Sequence, residues 1–215
     1  MTYVKICGLT TLADVQLAVE QNAWACGFVL TRSPRHVSPL RAQELARAAR
    51  TSLTVAVVTT ESPTWIAAAL AAADLRAVQL SAGAVGPSVA AVRAAALWSG
   101  RRPLLIAAAD TPDVDLADYV LLDARAAGRY GGTGCPLPWA DLRDHIDERT
   151  RQRLILAGGL TPDNVAEAVR ILRPLAVDVS SGVESAPGCK DALRLSRFFA
   201  AVAAVEPVTP VEGAP

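Results

Sequence analysis

The feature that most constrains the fold is a regular alternation of short strand-forming runs with longer stretches of helical periodicity. We count eight short runs rich in β-branched or apolar residues, at positions 3–7, 25–30, 53–58, 77–80, 103–107, 119–123, 154–157 and 176–179. This alternation predicts parallel strands joined by crossover helices. Eight units of roughly 26 residues fit an α/β fold of the single-domain (β/α)8 TIM-barrel type. The alternative is an open Rossmann-like sheet, but no strand is followed by the G-x-G-x-x-G pattern of that fold.

Helix starts are predicted where a capping residue precedes a proline, because proline is favoured at the first helical position. Four pairs have this form: Ser38-Pro39, Ser62-Pro63, Gly86-Pro87 and Thr161-Pro162. The segment after Asp110 is short and polar, so one of the eight connections is predicted to be degenerate. We expect residues 1–205 to form the barrel and residues 206–215, which contain three prolines, to form a poorly ordered tail.

Charge and cysteine content exclude several classes of function. The 21 basic residues (Lys and Arg) balance 21 acidic ones, so no basic field is available for nucleic acid or an anionic membrane surface. No apolar run reaches the roughly 18 residues of a membrane span, and no signal peptide precedes the barrel, so a cytoplasmic location is expected. The four cysteines are far apart and lack neighbouring histidines, which argues against a metal site. A monomer is expected because no surplus apolar stripe is evident.

In a barrel of this type, chemistry belongs at the carboxyl ends of the strands. The first strand ends at Cys7, the sixth at Asp123, and the eighth runs through Asp178. Strand alternation places Lys5 and Cys7 on one side, which we assign to the barrel interior. We expect Lys5 to favour the thiolate of Cys7. We also expect Lys5 to meet Asp178, because barrel closure makes the first and last strands neighbours.

The loops after the last two strands predict a binding site for one phosphate group. The segments "AGGLTPDN" and "VSSGVESAPGCKD" supply glycines that allow close backbone approach, with successive N–H donors and hydroxyls. The predicted cradle residues are Gly158, Gly159, Ser180, Ser181 and Gly182. The loop "TRSPRHVSP" after the second strand carries Arg32 and Arg35, either of which suits a carboxylate. Only Lys5 and Lys190 are lysines, which singles both out.

Six motifs in this order resemble the phosphoribosylanthranilate isomerase family over nearly the whole chain. They are "KICGLT", "SPRHVSP", "VQL", "LLDA…GGTG…W", "AGGLTPDNV" and "DVSSGVES.PG.KD". The resemblance implies an Amadori rearrangement of N-(5-phosphoribosyl)anthranilate to 1-(2-carboxyphenylamino)-1-deoxyribulose 5-phosphate in tryptophan biosynthesis, without cofactor or metal.

The resemblance also assigns residues to roles. Cys7 matches the family's general base, Asp123 its general acid, and Arg35 the arginine that receives the anthranilate carboxylate. The five cradle residues match its phosphate site, and we add Lys5, Gln79 and Asp178 as substrate-binding candidates. An acid that holds a proton near neutral pH needs a raised pKa, which we expect for Asp123 above an apolar strand.

The chain departs from the family pattern at three positions. Ser81 and Ala82 stand where the family reads "HG" after "QL", and Cys135 replaces a lysine after "GGTG". None of these changes affects the acid, the base or the cradle. They bear on substrate fit, so a related aminosugar phosphate or slow turnover stays open.

Two rival functions remain at the level of the sequence. The histidine-pathway sugar isomerase performs the same rearrangement on a substrate with two phosphates, but that family ends its first strand in an aspartate and has a second phosphate site. Here the first strand ends in Cys7, and the loops "VVTTESP" and "QLSAGAVG" show no second cradle. A non-catalytic phosphosugar-binding barrel would need neither Cys7 nor Asp123.

Overall fold

Eight parallel strands form a closed barrel in the computed structural model, which describes residues 1–111, 113–123, 139–144 and 146–205. The strands follow one another around the ring in chain order, and the last pairs with the first. They are β1 (Tyr3–Cys7), β2 (Ala25–Val29), β3 (Leu53–Val58), β4 (Ala77–Leu80), β5 (Leu104–Ala108), β6 (Tyr119–Asp123), β7 (Leu154–Ala157) and β8 (Ala176–Val179). The (β/α)8 barrel is confirmed, and the open sheet is excluded because β8 pairs with β1.

Helices occupy most of the connections between strands. They are α1 (Leu12–Glu20), α2 (Pro39–Ala48), α3 (Pro63–Ala73), α4 (Val89–Trp98), α5 (Trp139–Arg143), α6 (Glu148–Arg151), α7 (Val165–Leu172) and α8 (Ala192–Ala203). A short hairpin, β9 (Glu184–Ala186) with β10 (Cys189–Lys190), follows β8. In the described residues of the connection after β5, the one helical element is a 3-10 turn at Val114–Leu116, which agrees with the predicted degenerate connection.

Two of the four predicted helix starts are confirmed. The side chains of Ser38 and Ser62 accept hydrogen bonds from the backbone N–H groups of Arg41 and Trp65. They cap α2 and α3, and each helix has a proline in its first turn. The start at Gly86-Pro87 is wrong because Ser88 is the residue that caps α4. The start at Thr161-Pro162 is also wrong, since residues 162–164 form a turn and α7 begins at Val165.

The hydrophobic core has two layers, one on each side of the barrel wall. The larger layer lies between strands and helices and includes Val4 and Ile6. The inner layer fills the barrel with side chains of Ala25, Val55, Ala77, Ile106, Leu121, Ile155, Ala157 and Ala176. Cys7 packs against Val29 and Val57 in a separate small cluster. Lys5 is completely buried. The alternation predicted for β1 is therefore confirmed.

The seam of the barrel carries a buried ion pair. Lys5 and Asp178 are register partners on β1 and β8, and Lys5 Nζ lies 2.9 Å from Asp178 Oδ1. Their side chains are 0% and 9% exposed. The predicted contact is confirmed. Because bulk water does not solvate these two buried charges, each depends on the other for stabilisation.

Asp178→Leu is expected to lower the free energy of unfolding by about 3 to 5 kcal/mol, because it leaves the buried Lys5 ammonium without its carboxylate partner. Adding Lys5→Met removes the unpaired charge and should recover most of that loss. Urea denaturation of both variants measures the difference. Asp74→Asn serves as the control, since Asp74 is 77% exposed beside Arg101 and its pair contributes at most about 1 kcal/mol. Equal stability of the single and double variants would contradict this account.

Candidate active site

The Cys7 thiol and the Lys5 amine share one space inside the barrel mouth. Gly27, on the neighbouring strand β2, leaves that space free: a Cβ there would lie 3.2 Å from Cys7 Sγ and 3.1 Å from Lys5 Nζ. Cys7 is 8% exposed. The predicted base therefore lies at the carboxyl end of β1, close to the ion pair of the barrel seam.

Burial controls the ionisation of this cysteine. Burial raises the pKa of the Cys7 thiol, and Asp178 adds to the rise, while Lys5 and Lys190 lower it by less. Lys5 acts in the expected direction, towards the thiolate, but the expectation that it brings the pKa of Cys7 down towards neutral pH is wrong, because the net pKa is raised. Burial removes more of the stabilisation that water gives a thiolate than one nearby ammonium restores. That ammonium is also already paired with Asp178.

Lys5 itself stays firmly charged. Burial acts to lower its pKa, but the charge of Asp178, the charge that Cys7 acquires on ionisation and the hydrogen bonds to both outweigh burial, so the pKa of Lys5 is raised above its ordinary value. A permanent positive charge therefore lies below the mouth of the barrel, where it favours any anion that forms at Cys7.

Asp123 is the last residue of β6 and is partly buried. Its register partner on β7 is Ala157, one residue before the first cradle glycine. Residues 124–138, which include the "GGTG" motif and Cys135, lie outside the described part of the chain, as does the predicted tail 206–215. The barrel boundary at residue 205 stays a prediction.

The predicted cradle residues lie on two adjoining loops. Gly158 and Gly159 after β7 have φ angles of 95° and 71°, the left-handed region that favours glycine. After β8, Ser181 and Gly182 form a 3-10 turn, and a Cβ on Gly182 would lie only 1.9 Å from the carbonyl oxygen of Leu160. The two loops are thus in backbone contact at a position that only glycine allows.

A cavity of about 420 Å³ opens between these loops. Its lining includes Gly159, Thr161, Ser181, Gly182, Arg194 and Arg197. Ser180 Oγ is buried and has no hydrogen-bond partner within the described residues. A larger cavity of about 840 Å³ lies beside Thr2, Arg151 and Arg173, at the opposite end of the barrel from these loops. Three of the five predicted cradle residues thus line one cavity at the carboxyl end.

Gln79 points into the barrel from β4. Its register partners are Val57 and Ile106, which both belong to interior clusters. Its Nε2 donates to Ser81 Oγ at 2.9 Å, while its Oε1 is buried without a partner among the described residues. Ser81, one of the departures from the family pattern, therefore determines how the Gln79 amide is oriented.

Arg35 lies close to Cys7 through the turn that follows β1. Gly8 has a φ angle of 73°, and a Cβ there would lie 2.4 Å from Arg35 Cδ and 3.0 Å from Ser180 Oγ. Arg35 is partly buried, whereas Arg32 is exposed. The structure therefore favours Arg35 over Arg32 as the residue that faces the mouth.

A buried glutamate that the sequence left without a role binds Arg35. Arg35 Nε and Nη2 donate to Glu184 Oε1 and Oε2 at 2.8 and 2.6 Å. Lys190 Nζ donates to Glu184 Oε1 at 2.8 Å. Burial acts to raise the pKa of Glu184, but the bonds from Arg35 and Lys190 lower it to about 2, so this carboxylate is ionised at neutral pH. The sequence singled out Arg35 and Lys190 separately, but gave no sign that Glu184 joins them.

Neither a metal-binding cluster nor a membrane-spanning helix is present within the described ranges. No group of three or more His, Cys, Asp or Glu side chains there is arranged to hold a metal ion. No helix in those ranges combines the length and apolar character needed to cross a membrane.

The sequence is similar to one family of isomerases, both by family model and by individual relatives. A family model described as N-(5'-phosphoribosyl)anthranilate (PRA) isomerase matches residues 4–201. The N-(5'-phosphoribosyl)anthranilate isomerase of Thiobacillus denitrificans is 41% identical over 207 residues, which cover 91% of this chain and 95% of that protein.

Solved structures agree with the sequence comparison. TrpF from Jonesia denitrificans matches with a TM-score of 0.80 and 36% identity over 95% of this chain and 98% of that one. A phosphoribosyl anthranilate isomerase in complex with reduced 1-(o-carboxyphenylamino)-1-deoxyribulose 5-phosphate matches with a TM-score of 0.73 and 31% identity, over 95% and 100% of the two chains. The chain therefore belongs to the N-(5'-phosphoribosyl)anthranilate isomerase family.

Proposed function

We propose that the protein catalyses the Amadori rearrangement of N-(5-phosphoribosyl)anthranilate in tryptophan biosynthesis, with Cys7 as general base and Asp123 as general acid. The observation that carries the proposal is the placement of the Cys7 thiol at the barrel mouth, beside Arg35 and the loops of the cradle. A barrel that only binds a phosphosugar would not need a thiol and a carboxyl group at two strand ends.

Up to the enolamine, the reaction needs one proton delivered to the ribose ring oxygen and one removed from C2. Asp123 donates a proton to the ribose ring oxygen, the bond from that oxygen to C1 breaks, and the nitrogen lone pair forms a C1–N double bond. The Cys7 thiolate then removes the proton from C2, the electrons of that C–H bond form the C1–C2 double bond, and the electrons of the C1–N π bond return to nitrogen, which gives an enolamine. The enolamine becomes the product when the C2 hydroxyl loses its proton and C1 gains one, so the product is an isomer of the substrate.

Other groups hold the substrate during these steps. Backbone N–H groups of the glycine and serine loops suit its phosphate, and Arg35 suits its carboxylate. Lys5, whose pKa is raised, stabilises the negative charge of the thiolate when a proton leaves Cys7. Gln79 and Asp178 line the same interior. The monomeric state and the cytoplasmic location expected from the sequence also stay part of the proposal.

Cys7→Ala and Asp123→Asn should each lower kcat about a hundredfold or more, because each removes a group that moves a proton in the transition state. The reaction rate is measured from the loss of substrate fluorescence. Cys26→Ala is the matched control, since Cys26 is also buried but packs in the outer core, and its activity per folded molecule should be unchanged. Full activity of Cys7→Ala would exclude this base. Binding of substrate without turnover by the unmodified protein would leave the phosphosugar-binding function.

The pH dependence of kcat/KM should show the raised pKa of Cys7. The thiolate is the active form of Cys7, and a raised pKa reduces its fraction at neutral pH. In Asp123→Asn, where the general acid no longer titrates, the residual kcat/KM should therefore rise about tenfold per pH unit between about pH 6 and pH 8, without a plateau. Initial rates at low substrate concentration measure this profile. A plateau that begins below about pH 7 would point to a base other than a desolvated thiol.

Gly182→Ala should weaken phosphate binding, because its Cβ would force the loop after β8 away from the Leu160 carbonyl. We expect KM and the inhibition constant of inorganic phosphate to rise roughly tenfold to a hundredfold, with a smaller change in kcat. Ser185→Ala, an exposed site on β9, is the control. An unchanged inhibition constant in a folded Gly182→Ala variant would show that these amides do not hold the phosphate.

A further inference from the structure

The hairpin after β8 places Glu184 and Lys190 in one cross-strand pair. They are register partners on β9 and β10, and they are 5% and 7% exposed. The hairpin is anchored from both sides: Thr10 Oγ1 donates to the carbonyl of Gly188, and Arg194 donates to the carbonyl of Glu184. The catalytic steps derived above use neither charged side chain.

Lys190 is held at the junction of three parts of the site. Its Nζ donates to the carbonyl of Cys7 at 2.7 Å, to that of Ser180 at 3.2 Å and to Glu184 Oε1 at 2.8 Å. An ammonium has three N–H donors, and all three acceptors here lack protons of their own. Lys190 is therefore charged, and it fixes Glu184 relative to the end of β1 and the cradle loop.

Glu184 occupies only one side of the Arg35 guanidinium. Its two oxygens take one proton from Nε and one from Nη2. A guanidinium has five N–H donors, and no described residue accepts from Nη1 or from the second proton of Nη2, so these form another fork. A second carboxylate can bind end-on to that fork while Glu184 holds the side.

The charges of the three groups leave the fork attractive to an anion. Arg35 and Lys190 carry two positive charges against the one negative charge of Glu184. Without Lys190, Glu184 would neutralise Arg35, and a second carboxylate would meet no net positive charge. The cluster thus combines a fixed orientation with one surplus positive charge.

We infer that Glu184 is a positioning residue: held by Lys190, it orients Arg35 so that the free fork of the guanidinium meets the carboxylate on the aromatic ring of the substrate. The inference rests on the proposed function, because that carboxylate belongs to the proposed substrate. It assigns to Glu184 no contact with the reacting atoms.

The test compares two ligands by calorimetry: reduced 1-(o-carboxyphenylamino)-1-deoxyribulose 5-phosphate, and the same molecule built from aniline, which lacks the carboxylate. In Glu184→Gln, the first ligand should bind about tenfold more weakly and the second within about twofold of the unmodified protein. Glu61→Gln is the control, since Glu61 is another carboxylate at the barrel mouth, partly buried, that accepts from Thr59 N–H and not from Arg35. It should change neither affinity.

A second variant separates orientation from charge and avoids an unpaired buried ammonium. Glu184→Met combined with Lys190→Met keeps the net charge of the cluster at one positive, carried by Arg35, and removes the group that orients it. The preference for the carboxylated ligand should still be lost. Restoration of that preference would show that net charge alone matters, and the inference would be wrong.

Two further outcomes distinguish the inference from the proposed function. Equal weakening of both ligands in Glu184→Gln indicates a general structural role and overturns the inference alone. Failure of the unmodified protein to bind the carboxylated ligand or to convert phosphoribosylanthranilate overturns the proposed function, and the inference falls with it. A loss restricted to the carboxylated ligand, in both variants, supports the inference.

Discussion

The contact between Lys5 and Asp178 joins the first strand to the last, and the geometry of the site depends on it. The pair fixes the register of β1 against β8, so the turn after Cys7 and the loop after Val179 leave the barrel side by side. That proximity brings Arg35 and Ser180 each next to Gly8, where a Cβ would meet both side chains. The site is therefore assembled from both ends of the chain, and it exists only when the barrel is closed.

The buried cysteine gives this site an unusual starting point for base catalysis. Desolvation keeps the thiol protonated in the unliganded protein, whereas the charge of Lys5 favours the anion once it forms. Desolvation thus favours the neutral thiol, and the charge of Lys5 favours the thiolate of the same residue. A group poised in this way loses its proton readily only while a positive charge lies next to it, which links the acid–base chemistry to the ion pair of the seam.

Much of the architecture could be predicted because it follows from local patterns. Strand alternation placed Cys7 and Lys5 inside the barrel, and closure of eight strands placed Asp178 beside Lys5. The start of α4 was missed because Ser88 competes with Gly86-Pro87 for the capping position, and only tertiary packing decides between them. The direction of the Cys7 pKa was missed because it depends on the depth of burial, which residue types do not reveal.

The role of Glu184 could not be predicted for a different reason. Glu184 and Arg35 are separated by 149 positions, and their contact depends on the path of the hairpin rather than on a strand end. A glutamate in a glycine-rich loop is usually solvated surface. The scarcity of lysine drew attention to Lys190 without showing what it binds.

The hairpin of β9 and β10 has a consequence for how such barrels can be altered. One ammonium touches the backbone of the base, the backbone of the cradle and the side chain that holds Arg35. A segment transplanted from β8 through β10 would carry the serine loop of the cradle together with the pair that orients Arg35, but it would need an arginine after β2 in the recipient barrel to recognise the second anion. Conversely, gradual change at any one of the three parts is constrained by the other two, so substrate preference and catalysis cannot drift independently.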